Sequence, residues 1–221
     1  MRERLRVARA DKGFTLVELL IAMTIFSILM ALLTGLMIRM SEQAQDNLGR
    51  QRAVEQARLG LSQIDRQIRS GNLIMDPASD TTAGVPEYYS LRIYTQEGGL
   101  DSCVQWRVNF ASSTARFGQL EYREWDPADV ATVTSWTRVA SNVERAMGSV
   151  IDSGDPTTWP PFWVDTPNTG TSDAKNVRIT LRMGDPQARS DAKSQVLTSV
   201  VTGRNTIFGY SSTFCSAVPA P

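Results

Sequence analysis

The chain of 221 residues contains no histidine. This absence removes imidazole-based catalytic triads, histidine general bases and most zinc sites. Cysteine is almost missing as well, leaving Cys103 and Cys215 as the two thiols. There is no G-x-S-x-G element, no phosphate loop and no pair of carboxylates at a meaningful spacing, so the residues point away from an enzyme and no cofactor or metal is expected. An excess of charge is also lacking, with 23 basic against 23 acidic residues. Such a balance exerts no general pull on nucleic acid, which is not an expected partner. Finally, no proline occurs before Pro77, so nothing in that stretch forbids a long helix.

What the amino-terminal third does hold is an apolar run. Phe14 to Ile38 spans 25 residues, of which only Thr15, Glu18, Thr24, Ser27, Thr34 and Gly35 are not apolar. As a helix it measures roughly 37 Å, enough to cross a hydrocarbon core of about 30 Å. Arg2, Arg4, Arg6, Arg9 and Lys12 precede it against Glu3 and Asp11, a bias that places residues 1–13 in the cytoplasm and the remainder outside. A removable secretory signal is the competing reading, but its apolar region is shorter, and IRMSEQAQDN after the run offers no small-residue cleavage site. Setting the leader and Glu18 aside leaves 18 basic and 20 acidic residues in 39–221, enough chain for one domain of ordinary size.

The helical pattern continues past the apolar run. Val54, Ala57, Leu61, Ile64 and Ile68 form one apolar stripe, and Asp46/Arg50 and Asp65/Arg69 stand in the favourable acid-then-base i,i+4 order. The spacing predicts one helix from Phe14 to near Ser70, stopped at Gly71-Asn72. From there the period becomes two. Val104, Trp106, Val108 and Phe110 alternate with Gln105, Arg107 and Asn109, and Val177, Ile179, Leu181 and Met183 alternate with Arg178, Thr180 and Arg182. Weaker strands are read over Ser90–Thr95, Gln119–Trp125, Trp136–Val139 and Gln195–Val201. The fold expected is α+β: a long helix, membrane-spanning over 14–38 and amphipathic over 39–70, packed on an antiparallel sheet head formed by 71–221 with a C-terminal tail.

The stretch KGFTLVELLIAM, Lys12 to Met23, resembles the amino-terminal signature of type IV prepilins and pseudopilins, whose type III signal joins a short charged leader, Gly, Phe and a Glu four residues on to an apolar run. The resemblance implies a pilin-like fold, removal of residues 1–13 by cleavage between Gly13 and Phe14, and methylation of the new Phe14 amine by the prepilin peptidase/methylase. It implies that Glu18 pairs with the cationic amino terminus of a neighbouring subunit during assembly. A carboxylate inside a membrane helix costs about 2.5 to 3.5 kcal/mol, so such a residue usually faces a partner; snorkelling to water is the plainer alternative. Gly35 stands where many major pilins have proline, and a straight helix there is as consistent as a loosened one. SVVTGRNTIFG near the end loosely resembles the terminal strand of the W and J components.

Taken together these features suggest a minor pilin that helps start or cap a filament. The implied partners are other major and minor pilins and an inner-membrane assembly platform. The implied location is the inner membrane with the head outside, then an extracellular filament or envelope pseudopilus. A pseudopilin of a type II secretion or DNA-uptake machine is the first rival, and a membrane-anchored adhesin or enzyme the more distant one. Cys103 and Cys215 lie outside, where oxidation is permitted, so either a disulfide or two unpaired thiols fits. Trp159, Phe162 and Trp163, beside two prolines, offer a partner contact if exposed, or pack on their own sheet. Arg92, Arg107, Arg123, Arg178 and Arg182 fall on expected solvent faces, where they form either a DNA-contacting stripe or a merely solvated surface.

Overall fold

The missing prolines are expressed as one uninterrupted α-helix, α1 (Leu16–Ser70). The computed structural model describes residues 13–146, 151–152, 154–165, 174–186, 194–208, 210–211 and 213–221. The leader expected over 1–13 therefore lies outside the described residues except for Gly13. The chain divides into two compact units, one ending at Gln45 and the other running from Asp46 to Pro221.

In the first unit every residue from Gly13 to Gln45 is exposed, including large apolar side chains from Met30 at 48% to Phe14 at 84%. The helix is long and apolar enough to cross a membrane. Three of its hydroxyl side chains are satisfied within the helix. The hydroxyls of Thr24, Ser27 and Thr34 donate to the carbonyls of Ile21, Met23 and Met30 at 2.8, 2.8 and 2.7 Å, which hides them from lipid. Gly35 sits inside the helix without interrupting it.

In the second unit the helix buries Ala53, Ala57, Gly60, Ile64 and Ile68. The stripe is thus turned from the expected one, with Val54 and Leu61 only half-buried. Gly60 is the reason: a Cβ there would stand 2.9 Å from Leu120 Cδ2 and 3.3 Å from Val139 Cγ1, so its bare backbone lets the helix settle closely onto the sheet. Arg69 Nε donates to Asp65 Oδ2 at 2.8 Å on the exposed side.

The sheet contains β1 (Gly71–Ile74), β2 (Ser90–Glu97), β3 (Leu100–Phe110), β4 (Phe117–Trp125), β5 (Thr137–Glu144), β6 (Phe162–Asp165), β7 (Lys175–Met183) and β8 (Gln195–Gly203). All the described pairings are antiparallel, in the order β1-β2-β3-β4-β5-β7-β6, with β8 on β7. Every strand read from alternation is present. The sequence reading missed β1, which follows the helix with no intervening loop, and β6, hidden behind Pro160-Pro161. β7 is the hinge of the topology: β8 pairs along its whole length, while β6 and the end of β5 share the other edge.

One face of the sheet meets α1 in the main core, where Leu91, Ile93, Trp106, Leu120, Ile179 and Leu181 are fully buried. Trp106 Nε1–H also donates to Gln67 Oε1 on the helix at 2.6 Å. The opposite face was expected to be wet, and over β2 to β4 it is not. The C-terminal segment crosses it, held by a Cys103–Cys215 disulfide whose partners have Cα atoms 5.7 Å apart and stand 112 positions apart in sequence. Tyr94, Trp125 and the two cysteines form a second buried cluster there, and Tyr94 stacks on Phe214 with ring centres 4.7 Å apart.

Candidate functional site

At the start of the helix the backbone of Gly13, Phe14 and Thr15 is not yet helical. Thr15 caps it: its Oγ1 accepts from the Glu18 N–H at 3.2 Å, and its carbonyl accepts from the Leu19 N–H at 3.2 Å. Thr-x-x-Glu is the spacing of a capping box, a signal present in the sequence that the reading of the stretch passed over. Glu18 is therefore a first-turn acid, where the helix dipole favours it by about 0.3 to 1 kcal/mol. That falls short of the roughly 2.5 to 3.5 kcal/mol a carboxylate costs deep in a membrane helix. The local role does not account for the residue by itself, and its side chain is exposed.

Gly13 shows the same kind of mismatch. Beyond Gly13 and its two chain neighbours, no atom among the described residues lies within 4 Å of where its Cβ would be, and its φ is not in the left-handed region. The packing of the described residues does not require glycine at this position. It stands directly before an exposed aromatic, Phe14, and a capped apolar helix.

Residues 8–34 match the prokaryotic N-terminal methylation motif. The match covers 27 of the 221 residues and supports an amino-terminal signal of the type IV prepilin and pseudopilin kind. No curated protein and no solved structure matches it. The succession of a long apolar helix and an antiparallel head is a pilin-like architecture.

The head does not present the arginine stripe considered from the sequence. Arg123 is 2% exposed and Arg182 5%, and the side chains of Arg92 and Arg107 are 11% and 12% exposed. Arg123 donates to Gln105 Oε1 through Nε at 3.0 Å and Nη2 at 2.8 Å, and to the carbonyls of Ala220 at 2.6 Å and Pro219 at 3.0 Å. Arg92 donates to the Cys215 carbonyl at 3.0 Å. Arg107 pairs with Glu121 at 2.8 Å and lies 3.8 Å from the centre of the Trp136 ring, whose other neighbour is Arg123 at 4.3 Å. Burial, with Arg107 close by, lowers the Arg123 guanidinium to about 10. Arg92 and Arg123 fasten the tail to the sheet, while Arg107 and Arg182 are bonded to Glu121 and Ala83 and to the carbonyls of Pro156 and Thr157, so none of the four is free to meet phosphates.

The aromatic-proline stretch is likewise drawn inward. Phe162 lies on β6 and is fully buried in the core, so it is not a surface anchor. Its placement follows from pairing with Ile179 on the two-sided strand β7. Trp159 and Trp163 are half-buried and stack on the Arg178 guanidinium at 4.4 and 4.9 Å. Among the described residues no group of His, Cys, Asp and Glu is arranged to hold a metal ion.

Proposed function

We propose that the chain is a minor type IV pilin that helps initiate or cap a pilus-like filament after processing by a prepilin peptidase. The observation that carries this reading is the arrangement at residues 13–18: an open glycine, an exposed Phe14, and a capped apolar helix with an exposed Glu18 in its first turn. Cleavage after Gly13 frees the Phe14 amine, which is then methylated. In the assembled filament Glu18 pairs with that amine on a neighbouring subunit. The carboxylate thereby loses in the assembly the desolvation cost that it carries alone in lipid.

The disulfide supports placing the head on the oxidising side of the cytoplasmic membrane. The head supports the minor role. It is elaborated with a long connection over 75–89, a feature suited to unlike neighbours more than to a shaft of identical copies. Mass spectrometry of the processed protein tests the site: the mature chain begins at methylated Phe14, whereas a retained Met1 or a cut beyond residue 38 refutes the reading. Quantifying subunits in sheared filaments tests the role, which is wrong if this chain equals the most abundant subunit.

A further inference from the structure

We infer that the free edge of β8, together with the cleft between it and α1, receives an extended, acidic strand from another protein, adding a strand to the sheet. The edge is open: β8 pairs with β7 on one side and with no strand on the other among the described residues. The direction of its backbone groups follows from β7. The Thr180 N–H donates to the Pro161 carbonyl at 3.0 Å and the Gly184 N–H to the Asn142 carbonyl at 3.1 Å, so even-numbered residues of β7 point away from β8. Their partners in register are Val196, Thr198 and Val200, opposite Arg182, Thr180 and Arg178. In an antiparallel ladder these residues turn both N–H and C=O outward, to the free edge.

The edge also lacks the devices by which solvent-facing edges are protected. Gln195–Gly203 contains no charge and no proline, and its register with β7 shows no bulge. Val196 and Val200 are 43% and 56% exposed. A nine-residue, uncharged, β-branched edge invites pairing with another chain, which is consistent with a site covered when the protein is in its working complex.

The neighbouring cleft states the chemistry of the occupant. It has a volume of about 670 Å³ and is lined on the helix side by Arg50, Val54, Glu55 and Arg58 and on the strand side by Gln195. Neither Arg50 nor Arg58 pairs with a carboxylate among the described residues. Eight residues apart on a helix, they are separated by about 12 Å along the axis. Same-face side chains on a strand repeat at about 6.8 Å, so carboxylates at positions i and i+4 of an added strand, about 13.6 Å apart, match the two guanidinium groups. A neutral residue between them faces Val54 and avoids Glu55. The main-chain bonds supply the hold and the two acids the selectivity, as in other strand-addition complexes.

The test uses the full chain in detergent and a labelled nine-residue peptide of alternating Val and Thr with Glu at its third and seventh positions, followed by fluorescence anisotropy. A Lys-for-Glu version is the comparison. Saturable binding of the Glu peptide is expected. Thr198→Pro removes one outward N–H without touching the β7 ladder and is expected to weaken binding by at least about tenfold, with the thermal transition kept. Arg50→Glu with Arg58→Glu is expected to reverse the preference toward the Lys peptide by a similar factor, a readout that does not depend on how well Thr198→Pro folds. The inference is overturned by absent binding at about 1 mM peptide, by equal binding to a natively folded Thr198→Pro chain, or by no reversal. It is also overturned if the edge pairs with a second copy, seen as a dimer that Thr198→Pro converts to monomer. Each of these results leaves the signal at Gly13 to Glu18 untouched.

Discussion

Replacing Arg123 with methionine tests how the tail is held. The substitution keeps an unbranched apolar stem of similar reach beside Trp136 but removes the guanidinium. Four hydrogen bonds with a charged donor are lost, two to Gln105 Oε1 and one each to the carbonyls of Pro219 and Ala220. At about 1.5 kcal/mol each, the lower end for charged donors, they contribute roughly 6 kcal/mol. Against this stands the cost of keeping the cation in a site that is 2% exposed. A fall from the ordinary guanidinium range to about 10 corresponds to about 3 kcal/mol of disfavour for the charged form, and methionine recovers it. The net expectation is a loss of about 3 kcal/mol, or roughly 6 to 12 °C in Tm for a unit of this size. Thermal unfolding monitored by near-UV circular dichroism measures that, and a carboxypeptidase time course measures the release of residues after Cys215. A cation whose folded pKa lies below its unfolded value makes stability rise with pH only between those two values. Here that window opens only at about 10, so the effect of the mutation should be the same at pH 6 and pH 8. A Tm within about 2 °C of the parent, with the tail equally protected, would refute the account of Arg123 as the tail's anchor. Arg123→Lys is the informative companion, since one ammonium cannot span Gln105 and two carbonyls at once.

Other perturbations probe the remaining parts. Cys103→Ser or Cys215→Ser opens a loop of more than a hundred residues and should lower stability by about 4 to 5 kcal/mol in the chain-entropy picture; equal denaturation midpoints with and without reductant in the parent protein would contradict this. Gly60→Leu places a side chain where Leu120 and Val139 already stand and should destabilise by about 1 to 3 kcal/mol, measured as a shift in denaturant midpoint at unchanged m-value. Glu18→Ala should leave membrane insertion and cleavage intact while reducing incorporation into filaments severalfold, read by immunoblot of sheared filaments against whole cells; normal incorporation would show the carboxylate to be dispensable.

Much of the first unit is determined by residues close together in the chain. A proline-free apolar run, a basic leader, and Gly13, Phe14 and Glu18 in fixed succession are local features, and a helix whose hydrogen bonds close over four residues can be read from local pattern. Strand positions were equally legible, because alternation over β3 and β7 is also local. The exceptions were β1, which follows the helix without punctuation, and β6, whose prolines signalled a loop. What only the tertiary structure decided was the meaning of the polar half of that alternation. Gln105, Arg107 and Arg123 have the composition of a solvent face, yet a disulfide across 112 residues and the carbonyls of Pro219 and Ala220 turn much of it into an interior. The same holds for Gly60, whose role depends on Leu120 and Val139 on two distant strands. Period reports which side of a strand faces the core, but whether the other side meets water depends on where the rest of the chain ends up, and no local pattern carries that information.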